Sequence, residues 1–416
     1  MLVVGAGPAG GELARLLACH GVSVQLVDRL ADLRRAAFSS AAVPLDTVNR
    51  FALPAAVVAS RWQGWQLIGP GERRRQWQGE GPLGAVLDFG ALRQWLAEEC
   101  RRWGGTLRLG HTAVDCRPDG DGMVTVLRGA DGKVARVRSR WVVDASGERR
   151  SLLGAGGPGG PGGPGEQGGP GGADPLVEGL GVEWLVRLPE AAAARWQGRL
   201  SFCLGSDWVP QGYGWVFPMQ PGVLKVGVCR LRDPQRSQPP LAPLLERLLE
   251  RLLEPGERQR LEVLDRHGGR IRSRVRRREA HRRGRLVGLG DVVSTANLLG
   301  GEGIRHALTS ARVLAPLLLE ELRTDTAPVE RAHQQGDSLE CYPRELRRAL
   351  GWRWSLSGRL ARRTWLGLRD GRSDARLERL LEGLEHCGAE DLSALLFDYR
   401  FERYGLRSLP YVLGWR

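Results

Sequence analysis

The chain opens on a hydrophobic triplet, Leu2-Val3-Val4, that runs into Gly5-Ala6-Gly7-Pro8-Ala9-Gly10. Apolar residues at helical spacing follow from Glu12 to Cys19, and Val22 to Val27 is again strand-like. This change of period across a glycine turn predicts strand, turn, helix and strand in succession. Residues 88–103 carry Leu92, Leu96, Cys100 and Trp103 on one helical stripe. Apolar, β-branched runs at 106–116, 123–128 and 134–145 predict strands. So do the alternating residues of 176–232, among which stand Trp184, Phe202, Trp208, Trp215 and Phe217. A leucine-rich helix is predicted over 241–253, a short strand at Leu286-Val287-Gly288-Leu289, and a helix over 303–322. Most of the chain beyond 330 is helical by pattern.

From Gly154 to Gly172 the chain is almost pure Gly and Pro, interrupted chiefly by Glu166 and Gln167. Such a segment cannot bury enough apolar surface to offset its chain entropy and is expected to be a disordered loop. Its formal GxGxxG match at Gly154–Gly159 is spurious, because prolines recur and no amphipathic helix follows.

Composition narrows the choices. A chain of 416 residues with 42% hydrophobic and 26% charged residues has ample core material, and a prior of ~150 residues per domain predicts two or three domains. No run approaches the ~18 apolar residues of a membrane span. The first strand begins at Met1, so no secretory leader is expected. The net charge of +14 invites a nucleic-acid reading, but Lys133 and Lys225 are the only lysines and 59 of the 61 basic residues are arginine. Arginine and glycine have GC-rich codons, and no nucleic-acid-binding signature accompanies the charge. Seven scattered cysteines without a CxxC pair predict reduced thiols in a cytoplasmic protein, with neither disulfide nor metal.

The glycine loop carries the strongest chemistry. In Gly5-x-Gly7-x-x-Gly10 the first glycine makes the turn, the second lets backbone approach a pyrophosphate, and the third packs helix on strand. The helix N-terminus offers free N–H groups and a positive dipole end to the phosphates. Asp28 ends the second strand, where a carboxylate accepts ribose hydroxyls. A second motif, Gly290-Asp291, ends an apolar strand and is followed by Gly300-Gly301-Glu302-Gly303-Ile304 at the start of a helix.

Together these motifs resemble the FAD-dependent family that includes para-hydroxybenzoate hydroxylase, geranylgeranyl reductases and lycopene cyclases. The resemblance spans most of residues 1–320. It implies that Asp291 binds the flavin ribityl chain and that the helix after Gly301 and Gly303 points its N-terminus, at Ile304, toward the flavin pyrimidine. It also implies cofactor contacts for Arg35 and for Asp144 of Asp144-Ala145-Ser146-Gly147. Tyr213-x-Trp215-x-Phe217-Pro218, then eight residues and Gly227, is similar to the YxWxFPx8GxG pattern of geranylgeranyl reductases, with Cys229 at the last glycine. In that group the motif lines a lipid pocket; alternate aromatics on a strand equally suit a core. Departures from the relatives are Phe38-Ser39-Ser40 where reductases have Cys-Gly, Phe89 where a cofactor-contacting arginine is common, and Val292-Val293-Ser294 and Glu302 in place of the hydroxylase pattern. Halogenases require a WxWxIP stretch, which is absent, and a lysine for which neither lysine here is suitably sited.

The fold expected is α/β: a Rossmann-type FAD-binding domain from 1–55, 83–153 and 281–330, an antiparallel β-sheet substrate domain from 56–82 and 174–280, and a helical C-terminal segment over 331–416. FAD is expected to bind noncovalently and to be reduced by NAD(P)H or reduced ferredoxin. The expected activity is reduction of a large apolar, isoprenoid or carotenoid-like substrate lying along Tyr213, Trp215 and Phe217. Alternatives are monooxygenation, lycopene-cyclase-like chemistry, or flavin binding without turnover. No catalytic proton donor is legible. Nine arginines over 270–285 fit a solvated face or docking of an acidic electron carrier. Arginines and tryptophans over 344–372 fit a packed helix or peripheral contact with an anionic membrane.

Overall fold

The computed structural model describes residues 1–154, 176–275, 279–324 and 338–400. From residue 155 to 173 the Gly/Pro-rich segment lies outside the described residues.

Leu2–Val4 lies inside a six-stranded sheet, between Gln25–Val27 and Val142–Asp144, and runs parallel to both. Thr106–Arg108 and Leu286–Gly288 extend the sheet in parallel on either side, and Arg282–Arg283 adds an antiparallel edge. Val4 is level with Val27 and Asp144, and Asp144 with Gly288. Gly5, Asp28, Ala145 and Leu289 therefore leave the sheet at one carboxyl edge. Strand order reverses between Leu2–Val4 and Val142–Asp144, and such a reversal opens the crevice where α/β sheets bind ligands.

The triplets alternate between two cores, as the period of two demands. Val3, Leu26, Val143 and Val287 face the helices Pro8–Cys19 and Ile304–Thr324. Leu2, Val4, Val27 and Val142 face the antiparallel sheet of His111–Asp119, Gly122–Gly129 and Val134–Ser139. Glu12, buried in the first of those helices, pairs with Arg15 at 2.8 Å and Arg312 at 3.1 Å, which ties the two helices together. The helix Phe89–Arg102 starts where Asp88 caps it, its carboxylate accepting from the Ala91 N–H at 2.9 Å.

A seven-stranded sheet forms the second layer. Its order is Glu262–Arg274, Leu176–Arg187, Val223–Leu231, Gly212–Pro218, Arg199–Leu204, Gly64–Ile68 and Arg74–Gln78. Every pairing is antiparallel except that of Arg199–Leu204 with Gly64–Ile68. One face is covered by Leu244, Leu245, Leu248, Leu249 and Leu252 of a single helix, Leu241–Leu252. The other, with Tyr213, Trp215 and Phe217, meets the first layer and the C-terminal helices.

Val58–Trp62, grouped by sequence with the substrate sheet, instead pairs with Gly84–Leu87 in a separate three-stranded sheet with Ala42–Pro44. Alternation marks a strand but does not name its partner. The C-terminal helices are Tyr342–Gly367, interrupted at Gly351 with φ +79°, then Gly371–Leu384 and Ala389–Leu396. Leu381, Leu384, Leu392 and Phe397 from this region close over the aromatic face. Among the described residues no helix is long and apolar enough to cross a membrane.

Candidate functional site

The three loop glycines do three different things. Gly5 has φ +108°, and a Cβ there would collide with the Ala145 carbonyl. A Cβ on Gly10 would collide with the Gly5 carbonyl, so helix and strand approach only because both are glycines. At Gly7, the N-cap, a Cβ would meet nothing within 4 Å. The space in front of the helix is thus open, and no side chain caps its first-turn N–H groups. Asp28 shapes the loop: one carboxylate oxygen accepts from the Ala6 N–H at 2.7 Å and the other from the Leu30 N–H at 2.8 Å.

A buried cation that the sequence did not single out lies in the field of Asp28. Arg35 reaches solvent, its side chain 85% exposed and 3.6 Å from Asp32. Its carbonyl instead accepts a bond from the guanidinium of Arg93 at 2.6 Å. Arg93 is only 7% exposed, and its buried Nε has no partner among the described residues. Burial lowers its affinity for the proton and Asp28 opposes that shift. It stands one turn beyond Phe89, on the same helix, and stacks on the Phe89 ring at 5.1 Å. An arginine at i+4 from the expected position was a signal available in the sequence. An uncapped helix, an open glycine and a buried guanidinium whose Nε is unpartnered among the described residues fit the pyrophosphate of a dinucleotide.

Asp144 is fully buried. It accepts from the N–H and hydroxyl of Ser146 at 3.1 and 2.6 Å, and from the N–H groups of Leu152 and Leu153 at 2.9 and 2.8 Å. Its carboxylate therefore organises the turn after its own strand. Gly290 has φ +64°, and a Cβ there would come within 2.8 Å of the Ala9 side chain, so the Gly290-Asp291 turn abuts the nucleotide helix. Burial pushes the Asp291 carboxyl up, against the Thr295 hydroxyl that donates to it at 3.2 Å and the nearby charge of Arg150.

Gly301, with φ +66°, touches the other layer: a Cβ there would lie 2.9 Å from the Tyr213 hydroxyl. Gly303 accepts the Ala307 N–H at 2.8 Å and so begins the helix on which Ile304 is buried. Glu302 is buried against Arg305 at 2.7 Å and accepts from the Tyr399 hydroxyl at 3.0 Å. Burial raises its pKa, but Arg305 and His306 prevail and hold it low.

Tyr213, Trp215 and Phe217 share one sheet face and are buried. Phe202 contacts Tyr213 and Phe217 at centroid distances of 5.7 and 5.2 Å. Trp365 of the C-terminal region lies 4.9 Å from Tyr213 and donates to the carbonyls of Leu298 and Leu299 at 3.2 and 3.0 Å. A Cβ at Gly227 would collide with the Trp215 indole, which crosses that glycine and donates its Nε1–H to Glu183 at 3.1 Å. That close approach is the physical need for glycine nine residues after Pro218. Next to Tyr213, burial pushes the Cys229 thiol up to about 12.

Residues 1–43 match the FAD binding domain family model. The chain is 27% identical to the digeranylgeranylglycerophospholipid reductase of Haloferax volcanii over 328 residues, covering 76% of this chain and 74% of that protein. It is 26% identical to the geranylgeranyl diphosphate reductase of Synechocystis, with the same coverage of 76% and 74%. Among solved structures, a geranylgeranyl bacteriochlorophyll reductase-like protein from Thermoplasma acidophilum superimposes with a TM-score of 0.74 at 18% identity, covering 99% of this chain and 98% of that one. The p-nitrophenol 4-monooxygenase of Pseudomonas putida gives 0.66 at 18% identity, covering 96% of both. Fold, cradle and matches define an FAD-dependent oxidoreductase. Within that class the chain is geranylgeranyl-reductase-like.

Arg93 gives a direct test of the cradle. Arg93→Met is expected to weaken FAD binding by about 1–3 kcal/mol, the range for a charged hydrogen bond. The apoprotein should lose only modest stability, because the bond to the Arg35 carbonyl and the stacking on Phe89 go with the guanidinium. Fluorescence titration with FAD measures the first and apoprotein melting the second; unaltered affinity would remove Arg93 from the site.

Proposed function

We propose that the protein saturates carbon–carbon double bonds of an isoprenoid lipid lying along the face of Tyr213, Trp215 and Phe217. The contact of the Tyr213 hydroxyl with Gly301 carries this reading. It joins the aromatic strand to the glycine turn whose helix is the expected neighbour of the flavin ring. The cofactor residues in this reading are Gly5, Gly7, Gly10, Asp28 and Arg93 at the nucleotide end and Gly290, Asp291, Gly301, Gly303 and Ile304 at the flavin end. FAD, once bound and reduced, supplies hydride chemistry. The chain's own residues exclude water, hold the flat hydrocarbon against the aromatics, and provide the proton. Reductases named for geranylgeranyl substrates among the relatives support the substrate class.

The test is anaerobic. Chemically reduced holoprotein mixed with prenyl lipids should yield products heavier by whole units of two hydrogens. A product that forms only in air and carries an added oxygen atom overturns the reductase reading in favour of a hydroxylase.

The reductant in this proposal is a docking nicotinamide nucleotide or a reduced ferredoxin. The arginine-rich strand is less available to an acidic carrier than its sequence suggests. Arg270 and Arg272 both pair with Glu148, at 2.9 and 3.0 Å.

Peripheral membrane contact is proposed for the C-terminal helix. Trp354 and Trp365 turn inward, donating to the carbonyls of Thr295 and of Leu298 and Leu299. Trp352 is 65% exposed, with Arg347, Arg348, Arg359, Arg362 and Arg363 also on the surface. Holoprotein is expected to sediment with anionic vesicles, to be released by salt, and to bind more weakly as Trp352→Ala. Equal sedimentation with neutral vesicles contradicts it.

A further inference from the structure

The aromatic face continues into charge. Across the sheet, Trp215 is level with Gly227, Gly227 with Glu183, and Glu183 with His267. One step along, Phe217 is level with Lys225, Lys225 with Leu185, and Leu185 with Asp265. Directly opposed residues of antiparallel strands share a face, so these two rows run from the aromatic cluster to the sheet edge. Exposure follows the same direction. Glu183 is 1% and Lys225 5% exposed, whereas the His267 side chain is 13% exposed and its partner Asp265, 3.3 Å away, 57%.

None of these groups was singled out from the sequence as part of the site. Lys225 Nζ donates to the carbonyls of Ser39 at 2.8 Å and Leu87 at 3.3 Å, anchoring the loop that takes the place of the relatives' Cys-Gly pair. The groups facing one another are few. Glu183 accepts from the Trp215 N–H and lies in the field of Lys225; Lys225 lies in the fields of Glu183 and Asp88; His267 pairs with Asp265 and lies in the field of Lys225. Burial moves all three toward the neutral form: Glu183 up, Lys225 and His267 down. The opposite charges within the row resist each shift. Buried groups shifted by burial and by one another's charge mark candidate functional sites.

We propose that Glu183, Lys225 and His267 form a proton-delivery row that carries protons from the sheet edge to the aromatic site, with Glu183 as its donor end. The inference rests on the reductase reading above. Saturating a double bond adds one hydride and one proton. FAD, if bound and reduced, would supply the hydride with its electron pair and would itself be oxidised. The proton comes from the Glu183 carboxyl: its O–H bond breaks as a C–H bond forms on the second carbon. The carboxylate left behind is stabilised by Lys225 and regains a proton from solvent by way of His267. The site is sealed by rings, so replacement through such a row is what allows repeated turnover.

Two measurements test the row. Infrared difference spectra of oxidised holoprotein, wild type minus Glu183→Gln, should show a protonated-carboxyl band. That band should shift promptly on transfer to deuterium oxide, and shift more slowly in His267→Gln. In the anaerobic assay Glu183→Gln should lose about 100-fold in rate, the scale of a lost general acid. His267→Gln should lose less, become steeply pH-dependent, and regain rate with added imidazole, which a structural role does not produce. His267 stands near the sheet edge, so its variant remains informative if Glu183→Gln fails to fold. Absence of the carboxyl band at every pH, or a Glu183→Gln rate within twofold of wild type, overturns the row. If wild type saturates no prenyl lipid, the substrate reading fails instead, and the infrared exchange judges the row by itself.

Discussion

Gly7→Val is expected to yield a folded protein without FAD. Gly7 sits at φ −77° and ψ −177°, extended backbone that valine adopts readily, and the new side chain meets no protein atom. Its methyls fill the space where phosphate must approach the helix. Binding should weaken at least ~100-fold, or about 2.7 kcal/mol. Apoprotein stability should change by no more than ~0.5 kcal/mol, as for an ordinary surface substitution. Flavin absorbance per polypeptide after gel filtration, with the apoprotein melting temperature, checks both. Gly10→Val provides the contrast: its side chain runs into the Gly5 carbonyl, so fold and flavin are lost together. A Gly7→Val protein that stays yellow at full stoichiometry refutes the cradle.

Trp215→Ala should be the most damaging change on the aromatic face. The indole is buried against Tyr213 and Phe217 and lies across Gly227. Removing it leaves a cavity worth about 3–5 kcal/mol. It also leaves the buried Glu183 carboxyl without the donor 3.1 Å away, a further cost of about 1–3 kcal/mol. Much of a typical domain's stability is of that size. A loss of lipid turnover in this variant would therefore say little about the pocket by itself. Trp215→Phe keeps most of the ring contact while removing the N–H. It should retain FAD and fold cooperatively, while lipid reduction falls. Urea unfolding of both variants separates the effects. A Trp215→Ala protein as stable as wild type would show that this face is open rather than packed.

Much of the first layer is legible in the sequence because its signals are local. Leu2-Val3-Val4 and the glycine turn state a strand and a left-handed or crowded backbone within ten residues, and no distant partner alters those steric demands. The helix begun by Asp88 and the leucine helix Leu241–Leu252 are equally local, set by cap chemistry and the 3.6-residue period. The stripe of Tyr213, Trp215 and Phe217 is local too, since alternation alone assigns them one face.

The neighbours of that face were decided elsewhere. Which strand lies beside Gly212–Pro218 depends on pairings between segments far apart in the chain, and a slip of one residue would turn every side chain over. Only the register placing Gly227 between Trp215 and Glu183, and Lys225 beside them, turns scattered charges into a row. The same holds for Arg93, which the packing of its helix brings to the Arg35 carbonyl and into the field of Asp28. Arg35, the arginine expected from resemblance, reaches into solvent. The sequence by itself thus determined the phosphate-binding turn, the strands and helices, and the aromatic stripe, because each is set by sterics and periodicity within a few residues. The tertiary structure decided which charges share a face with that stripe and which arginine is buried beside Asp28, because those depend on long-range pairing and burial that no local pattern records.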